Sequence, residues 1–479
     1  MKFIKIVGEG LAPPVLLFQN FQGDFMYNND TIVAISTPIG TGGIAVLRVS
    51  GEDSFIICDK IFKSPKDKKL ADAKTHTALF GYIYDEDELV DEVLCTVMRA
   101  PKSFTSENTV EISCHGGIFV TRRILDVIIK NGARLAEAGE FTKRAFLNGR
   151  LDMVEAQAVI DLINAKSESA ASLALHNMQG HLSQKINTLR ESLSDIVAEI
   201  DAVSDFPEED FEKITFEEIE ERLLRASAEI EELIKTASRG KLIKDGIDTV
   251  IIGKPNVGKS SLLNAILSSD RAIVTDTPGT TRDVIEETVS LGKVSLNIFD
   301  TAGIRKTDDK IETIGIEKSK EYVKTADLVL FMTDSETGIT KEDEEIEKLL
   351  DNKKVILVVN KTDKENAKDI NFAKDYKTVK ISAKTGKGVT ELLEEIEELF
   401  EVGKISKSDM PIITKASQKE ALIRAKEYID IAKQNLGIMP DDLISIDLRS
   451  ALSALGQLTG IEVSEDIVNR IFSKFCLGK

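Results

Sequence analysis

Cysteine is scarce, net positive charge and long apolar runs are lacking, and each lack excludes something. Only four cysteines occur, Cys58, Cys95, Cys114 and Cys476. They show neither paired nor C-x-x-C spacing, so no disulfide framework or zinc site is indicated, and a reduced cytoplasm is the compartment this composition fits. No apolar run approaches the roughly 20 residues a bilayer span needs. The formal net charge is −19 and the isoelectric point about 4.9. That excludes a chain-wide electrostatic grip on nucleic acid, so any RNA contact is local or supplied by a partner. What is present is length: 479 residues, enough for about two to four domains with real cores.

The first thirty residues carry Lys2 and Lys5 before a weak apolar patch ending in Leu16-Leu17-Phe18. Gly8, Gly10 and Pro13-Pro14 interrupt it and no clear small-residue cleavage site follows, so 1–29 reads as a poorly ordered extension, not a signal peptide. From Asp30 to about Arg150, β-branched strands (Thr31 to Ser36, Ile44 to Val49, Ala78 to Tyr84, Glu92 to Met98, Thr109 to Ser113) and a helix from about Phe119 to Lys130 predict a compact α+β domain. Long helices follow from Leu151. Leu182, Ile186, Leu189, Leu193, Ile196, Ile200 and Val203 recur at alternating four- and three-residue steps, as do Ile219, Leu223, Ala226, Ile230 and Leu233. Such stripes are bundle core before they are a cofactor site. Pro207 is expected to break the helix, and Gly240 to stop the next one. An α/β pattern with a parallel sheet occupies about 246–404, and 405–479 is helical again with Leu422, Ala425, Ile429, Ala432 and Leu436 on one face. The two helical segments, 151–245 and 405–479, are therefore expected to pack together around an inserted α/β domain.

The stretch Gly253-Lys254-Pro255-Asn256-Val257-Gly258-Lys259-Ser260-Ser261 follows the apolar strand Thr249 to Ile252 and opens an amphipathic helix, as a phosphate loop requires. Its backbone N–H groups can cradle phosphates, Lys259 adds charge near the β- and γ-phosphates, and Ser260 can ligate Mg²⁺. Four elements follow in GTPase order. Thr275-Asp276-Thr277-Pro278-Gly279-Thr280-Thr281 forms a first switch in which Thr281 can reach Mg²⁺, and Asp300-Thr301-Ala302-Gly303 closes the strand Val294 to Phe299. Asn360-Lys361-Thr362-Asp363 ends the strand Val355 to Val359, where the Asp363 carboxylate can accept from two guanine donors that adenine lacks. Ser382-Ala383-Lys384 can offer a backbone N–H to the guanine oxygen. Together they specify GTP, whereas each tetrapeptide alone is a weak signal. Small GTPases orient the attacking water with a glutamine after the D-x-x-G motif, and here that position is Ile304. Lys306, Asp308, Asp309, Lys310 and Glu312 are nearby candidates, with solvated loop charges the alternative for each.

The G-domain residues resemble the Era, Der and MnmE group of GTPases, and the flanks single out one of them. Gly42-Gly43-Ile44-Ala45-Val46-Leu47-Arg48-Val49-Ser50-Gly51, Ser103-Phe104-Thr105, Cys114-His115-Gly116-Gly117, Gly139-Glu140-Phe141-Thr142-Lys143-Arg144-Ala145-Phe146-Leu147-Asn148-Gly149 and Phe475-Cys476-Leu477-Gly478-Lys479 resemble the MnmE (TrmE) family of tRNA modification GTPases, from Asp30 to Lys479. The resemblance implies a multidomain α+β and α/β architecture: an N-terminal folate-binding domain that dimerises (30–150), a discontinuous helical domain and an inserted P-loop GTPase domain. It implies a cytoplasmic homodimer that works in a heterotetramer with the FAD-dependent flavoprotein MnmG. That complex installs an aminomethyl or carboxymethylaminomethyl group on carbon 5 of the tRNA wobble uridine. The carbon comes from a tetrahydrofolate derivative (5-formyl or 5,10-methylene). GTP hydrolysis with Mg²⁺ would be activated by K⁺ and by G-domain pairing. The matching positions are Asn256, Thr275, Thr277 and Thr280 for K⁺, Glu312 for the hydrolytic water, and Arg48, Glu111, Arg150 and Lys479 for folate. Position 150 is commonly Lys in the family, and Ala138 stands where Pro is usual.

Two residues stay open. Cys476 reads either as a nucleophilic or redox thiol or as a packed one, and His115 either as a folate-pocket residue or as a structural residue at a strand-to-helix turn. Two other functions compete: a ribosome-assembly switch resembling Era or Der, for which no KH-type module or second G domain is evident, and a scaffold for the flavoprotein.

Overall fold

The computed structural model describes residues 30–205, 215–269, 273–274, 286–299, 322–364, 370, 372, 374–400, 411–476 and 478. The chain forms two compact units, one of residues up to Ala156 together with those from Thr459 onward, the other Gln157–Leu458.

Strand alternation builds the first unit. In β2 (Ile44–Ser50), which pairs antiparallel with β1 (Ile32–Ile35), Ala45, Leu47 and Val49 point into a core. Ile44, Val46 and Arg48 point away from it, as a two-residue side-chain period requires. The core face is covered by α1 (Ser54–Ile61) and later by α2 (Ile118–Lys130). β3 (Phe62–Lys63), β4 (Thr77–Asp85), β5 (Glu88–Met98), β6 (Thr109–His115) and β7 (Arg134–Leu135) complete a seven-stranded sheet in the order β3-β4-β5-β6-β2-β1-β7. Helix α1 and the following α3 (Glu140–Leu147) are additions to the sequence expectation. Cys58, Cys95 and Cys114 are free and buried in this core, where desolvation raises all three thiols. Gly139, at φ 71°, caps α3, and a Cβ there would lie 2.5 Å from Phe472 O. Its N–H donates to Cys476 O at 3.3 Å, and Ser36 Oγ donates to Gly478 O at 3.2 Å. The C-terminal tail is thus held against this unit.

The division between units falls inside α4 (Met153–Ile163). In the second unit α5 (Glu168–Met178), α6 (His181–Asp205) and α7 (Phe216–Asp245) carry the stripes read from the sequence, and Leu182, Ile186, Leu193, Leu223 and Ile230 are completely buried. A capping box starts α7: Glu218 N–H donates to Thr215 Oγ1 at 3.2 Å and Thr215 N–H to Glu218 Oε2 at 2.9 Å. Gly240 does not stop this helix. It continues to Asp245 and ends at Gly246, whose φ is 93°. Gly240 is there because the backbone of another segment comes close: a Cβ would fall 2.0 Å from Ile413 O. Pro207 lies outside the described residues.

After α7 come β8 (Ile247–Ile252), α8 (Lys259–Leu267), β9 (Ile273–Val274), β10 (Glu286–Ser290), β11 (Ser295–Phe299), β12 (Leu328–Asp334), α9 (Lys341–Glu347), β13 (Lys354–Asn360), β14 (Lys377–Lys380) and α10 (Val389–Leu399). The sheet order is β14-β13-β12-β8-β11-β10-β9. Its strands from β14 to β11 run parallel, while β10 pairs antiparallel with both β11 and β9, so the sheet is mixed where a parallel one was expected. The chain then returns to helix in α11 (Ala416–Asn435) and α12 (Asp441–Thr459). α11 packs along α7, with Ser227 Oγ donating to Asp430 Oδ1 at 2.9 Å and Leu422, Ala425, Ile429 and Ala432 fully buried. Helices on either side of the α/β elements in sequence are therefore neighbours in space. No helix among the described residues is long and apolar enough to cross a membrane.

Candidate nucleotide and pterin sites

The phosphate loop sits between β8 and α8, at the carboxyl edge of the parallel strands, where open α/β sheets bind ligands. Gly253 passes so close to β12 that a Cβ would lie 2.2 Å from Met332 O, and Gly258 takes φ 103° at the start of α8. Asn256 adopts a left-handed φ of 59°, a conformation Asn tolerates better than most residues. Lys259 Nζ donates to the Gly253 and Lys254 carbonyls at 2.8 and 3.0 Å. Ser260 and Ser261 lie exposed in the first turn of α8, where N–H groups converge.

One residue joins this loop to the Ser382-Ala383-Lys384 segment. Asn360, buried at the end of β13, donates through Nδ2 to Val257 O at 2.7 Å and accepts at Oδ1 from Ala383 N–H at 2.9 Å. The Asn360-Lys361-Thr362-Asp363 segment is anchored further by Thr362, whose N–H and Oγ1 both donate to Ile381 O, at 3.1 and 2.9 Å. Asp363 is exposed, and a hydrogen bond from Ser382 first, then backbone hydrogen bonding, holds its carboxyl below the usual carboxylate value. It is ionised and able to accept. Asn256, Val257, Gly258, Lys259, Ser260, Ser261, Asn360, Lys361, Asp363, Ser382, Ala383 and Lys384 thus belong to one locality. Thr275, Asp276, Thr277, Pro278, Gly279, Thr280, Thr281, Asp300, Thr301, Ala302, Gly303 and Glu312 lie outside the described residues, as does Lys479.

In the first unit, Arg48 and Glu111 are register partners on β2 and β6. Arg48 Nε and Nη2 donate to Glu111 Oε1 at 2.9 and 2.8 Å, while its Nη1 is buried with no partner among the described residues. Phe104 lies against both arginines, its ring centroid 5.2 Å from Arg48 Cζ and 4.9 Å from Arg150 Cζ, and its carbonyl accepts from Arg150 Nη1 at 2.6 Å. Phe104 was legible only as part of a family string. Glu155 was not singled out at all: burial, and then the Asp152 charge, push its carboxyl up to about 7.

His115 stands at the exposed end of β6, with Nδ1 2.6 Å from Asp91 Oδ1, a hydrogen bond that raises its pKa. Cys476 is exposed and free. No group of three His, Cys, Asp or Glu among the described residues is placed to hold a metal.

Comparison with known proteins shows the family to which the chain belongs. A family described as "GTP-binding protein TrmE N-terminus" matches residues 31–150, and one described as "MnmE helical domain" matches 153–476. A protein of Acetivibrio thermocellus described as tRNA modification GTPase MnmE is 46% identical over 461 residues, covering 95% of this chain and 100% of its own. Equally described proteins of Desulforamulus reducens and Geobacillus thermodenitrificans are each 45% identical, covering 94% of this chain and 100% and 99% of their own. The solved G domain of the Thermotoga maritima FeoB iron transporter is 25% identical and covers 32% of this chain and 98% of its own, with a TM-score of 0.23 that adds no weight. On the sequence relatives and the two family matches, the chain belongs to the MnmE family of tRNA modification GTPases.

Proposed function

We propose that this protein is a K⁺-activated GTPase that, with an FAD-dependent partner, uses a tetrahydrofolate one-carbon unit to modify carbon 5 of the tRNA wobble uridine. The observation that carries the GTP half is Asn360, which binds the phosphate loop and the Ser382-Ala383-Lys384 segment at once. Asp363 then selects guanine, and Lys259 with the loop N–H groups binds the polyphosphate. Ser260 with Thr281 would hold Mg²⁺, and Asn256 with Thr275, Thr277 and Thr280 would hold K⁺. Hydroxyl and amide oxygens are the hard donors both ions take. K⁺ would supply the charge that an arginine finger supplies elsewhere. Glu312 would position the water, a task Ile304 cannot perform.

The folate half rests on Arg48, Glu111 and Arg150, with Lys479 as a fourth candidate. A pterin offers donors to a carboxylate, and the buried Nη1 of Arg48 fits a further acceptor. The folate one-carbon unit would supply the carbon, while the residues here bind and orient its carrier. The sheet face bearing Arg48 and Glu111 also exposes Phe80 and Leu94, register partners left 45% and 44% exposed, which favours a homodimer through this face. The proposed domains are 30–150, 151–245, 246–404 and 405–479, in a cytoplasmic complex with the flavoprotein and tRNA. Titration with 5-formyltetrahydrofolate tests this reading against a ribosome-assembly switch. Saturable binding is expected, and none would favour the switch.

A further inference from the structure

We propose that Lys254 and Asp343 are a positioning pair for the phosphate loop, an inference that rests on the GTP reading above. Lys254 is the second residue of that loop, yet its side chain turns away from solvent. Nζ donates to Gly338 O at 2.9 Å and to Asp343 Oδ2 at 3.0 Å, with the two side chains 7% and 0% exposed. Asp343 lies in the first turn of α9 and its Oδ2 also accepts from Thr340 N–H at 2.9 Å and Thr340 Oγ1 at 2.8 Å. It is held by its own helix start before Lys254 reaches it. The backbone of Lys254 completes the path, because its carbonyl accepts from Lys259 Nζ at 3.0 Å. A buried carboxylate on α9 therefore connects, through one residue, to the Lys259 ammonium, which in the GTP reading binds the polyphosphate.

The segment between β12 and α9 is tied to base recognition as well. Ser335 N–H donates to Asn360 O at 3.0 Å and Ser335 Oγ to Lys361 O at 3.0 Å. Asp334 accepts from the N–H groups of Glu336 and Thr337 at 3.0 and 2.8 Å, and Lys361 Nζ stands 3.8 Å from its carboxylate. Residues 334–343 thus brace the guanine-recognition loop at one end and the phosphate loop at the other. A buried ion pair is weak evidence for stability, since an apolar pair of similar volume often replaces it without loss. That is what separates the two roles. An apolar pair fills the space but supplies no directional hold on the loop.

The test uses the full chain with mant-GDP and mant-GTP as probes, measuring Kd, dissociation rate and Tm for wild type, Lys254→Met, Asp343→Asn and the double variant Lys254→Met/Asp343→Leu. The expected result is a double variant with near-wild-type Tm that still binds nucleotide about tenfold or more weakly, mainly through faster release. The near-isosteric Asp343→Asn, checked for folding by circular dichroism, is expected to shift affinity in the same direction and covers the case in which the double variant does not fold. Wild-type affinity in a folded variant overturns the proposal. Absence of mant-GDP binding by the wild type overturns instead the GTP reading on which it stands.

Discussion

The two candidate sites are built in opposite ways. At the phosphate loop, side chains hold backbone in shape: Asn360 grips Val257 O, Lys259 caps loop carbonyls and Thr362 fastens to Ile381 O. At the sheet face of the first unit, side-chain charge itself is presented, with Arg48 and Arg150 both against Phe104 and one guanidinium nitrogen of Arg48 buried with no partner among the described residues. The first design suits a ligand recognised by backbone donors and one carboxylate. The second suits a ligand with several acceptors and donors of its own, and the desolvation of an unspent donor is recovered only when such a ligand arrives. The two regions should therefore fail differently.

Asp363→Asn breaks the comparison most severely. An amide cannot accept from both guanine donors, so GTP affinity is expected to fall roughly 10²- to 10⁴-fold, while xanthosine triphosphate, which presents an oxygen there, should gain; competition against mant-GDP measures both. Arg48→Ala should weaken 5-formyltetrahydrofolate by about 10- to 100-fold, the scale of a charged hydrogen bond, and leave mant-GDP binding unchanged. If one substitution lowered both affinities, the two sites would not be independent. Gly240→Ala, at a position in neither candidate site, is expected to cost about 1–3 kcal/mol, seen in thermal melts, because its Cβ meets the Ile413 carbonyl.

The smallest effect is a pH slope. Glu155 titrates in the folded protein at about 7 against an ordinary 4.5, raised first by burial and then by Asp152. Between those values the folded state holds more protons than the unfolded one, so Glu155 makes stability fall as pH rises through the window, with the full penalty present above it. Glu155→Gln keeps an acceptor for the Asp152 N–H, 2.9 Å from Oε2, and should flatten that part of the pH–stability curve measured by urea unfolding.

The phosphate loop, the helical stripes and the strands of the first unit were legible because periodicity and loop spacing report directly on burial. Helix α1 was not. Its Phe-Ile-Ile-Cys run is continuously apolar, so the helical spacing of the buried Ser54, Ile57, Cys58 and Ile61 is masked by the exposed Ile56. Gly240 misled for a related reason. In sequence a glycine near a helix end looks like a stop, and only the approach of Ile413, far along the chain, shows why it is needed. The antiparallel β10 was hidden because Glu-Glu-Thr-Val-Ser carries no apolar run, and its direction is set by its partners β11 and β9. At the sites, residue identities were readable but alliances were not. Nothing in sequence says that Asn360 joins Val257 to Ala383, that Lys254 turns inward to Asp343, or that Phe104 serves two arginines.

The proposed GTPase turns on one feature, a monovalent cation held at Asn256 that switches hydrolysis on. GTP turnover by the full chain, measured in KCl and in NaCl at equal ionic strength with Mg²⁺ present, tests it most directly. Markedly faster turnover in KCl, lost in Asn256→Ala, is expected; equal rates in the two salts would contradict cation activation.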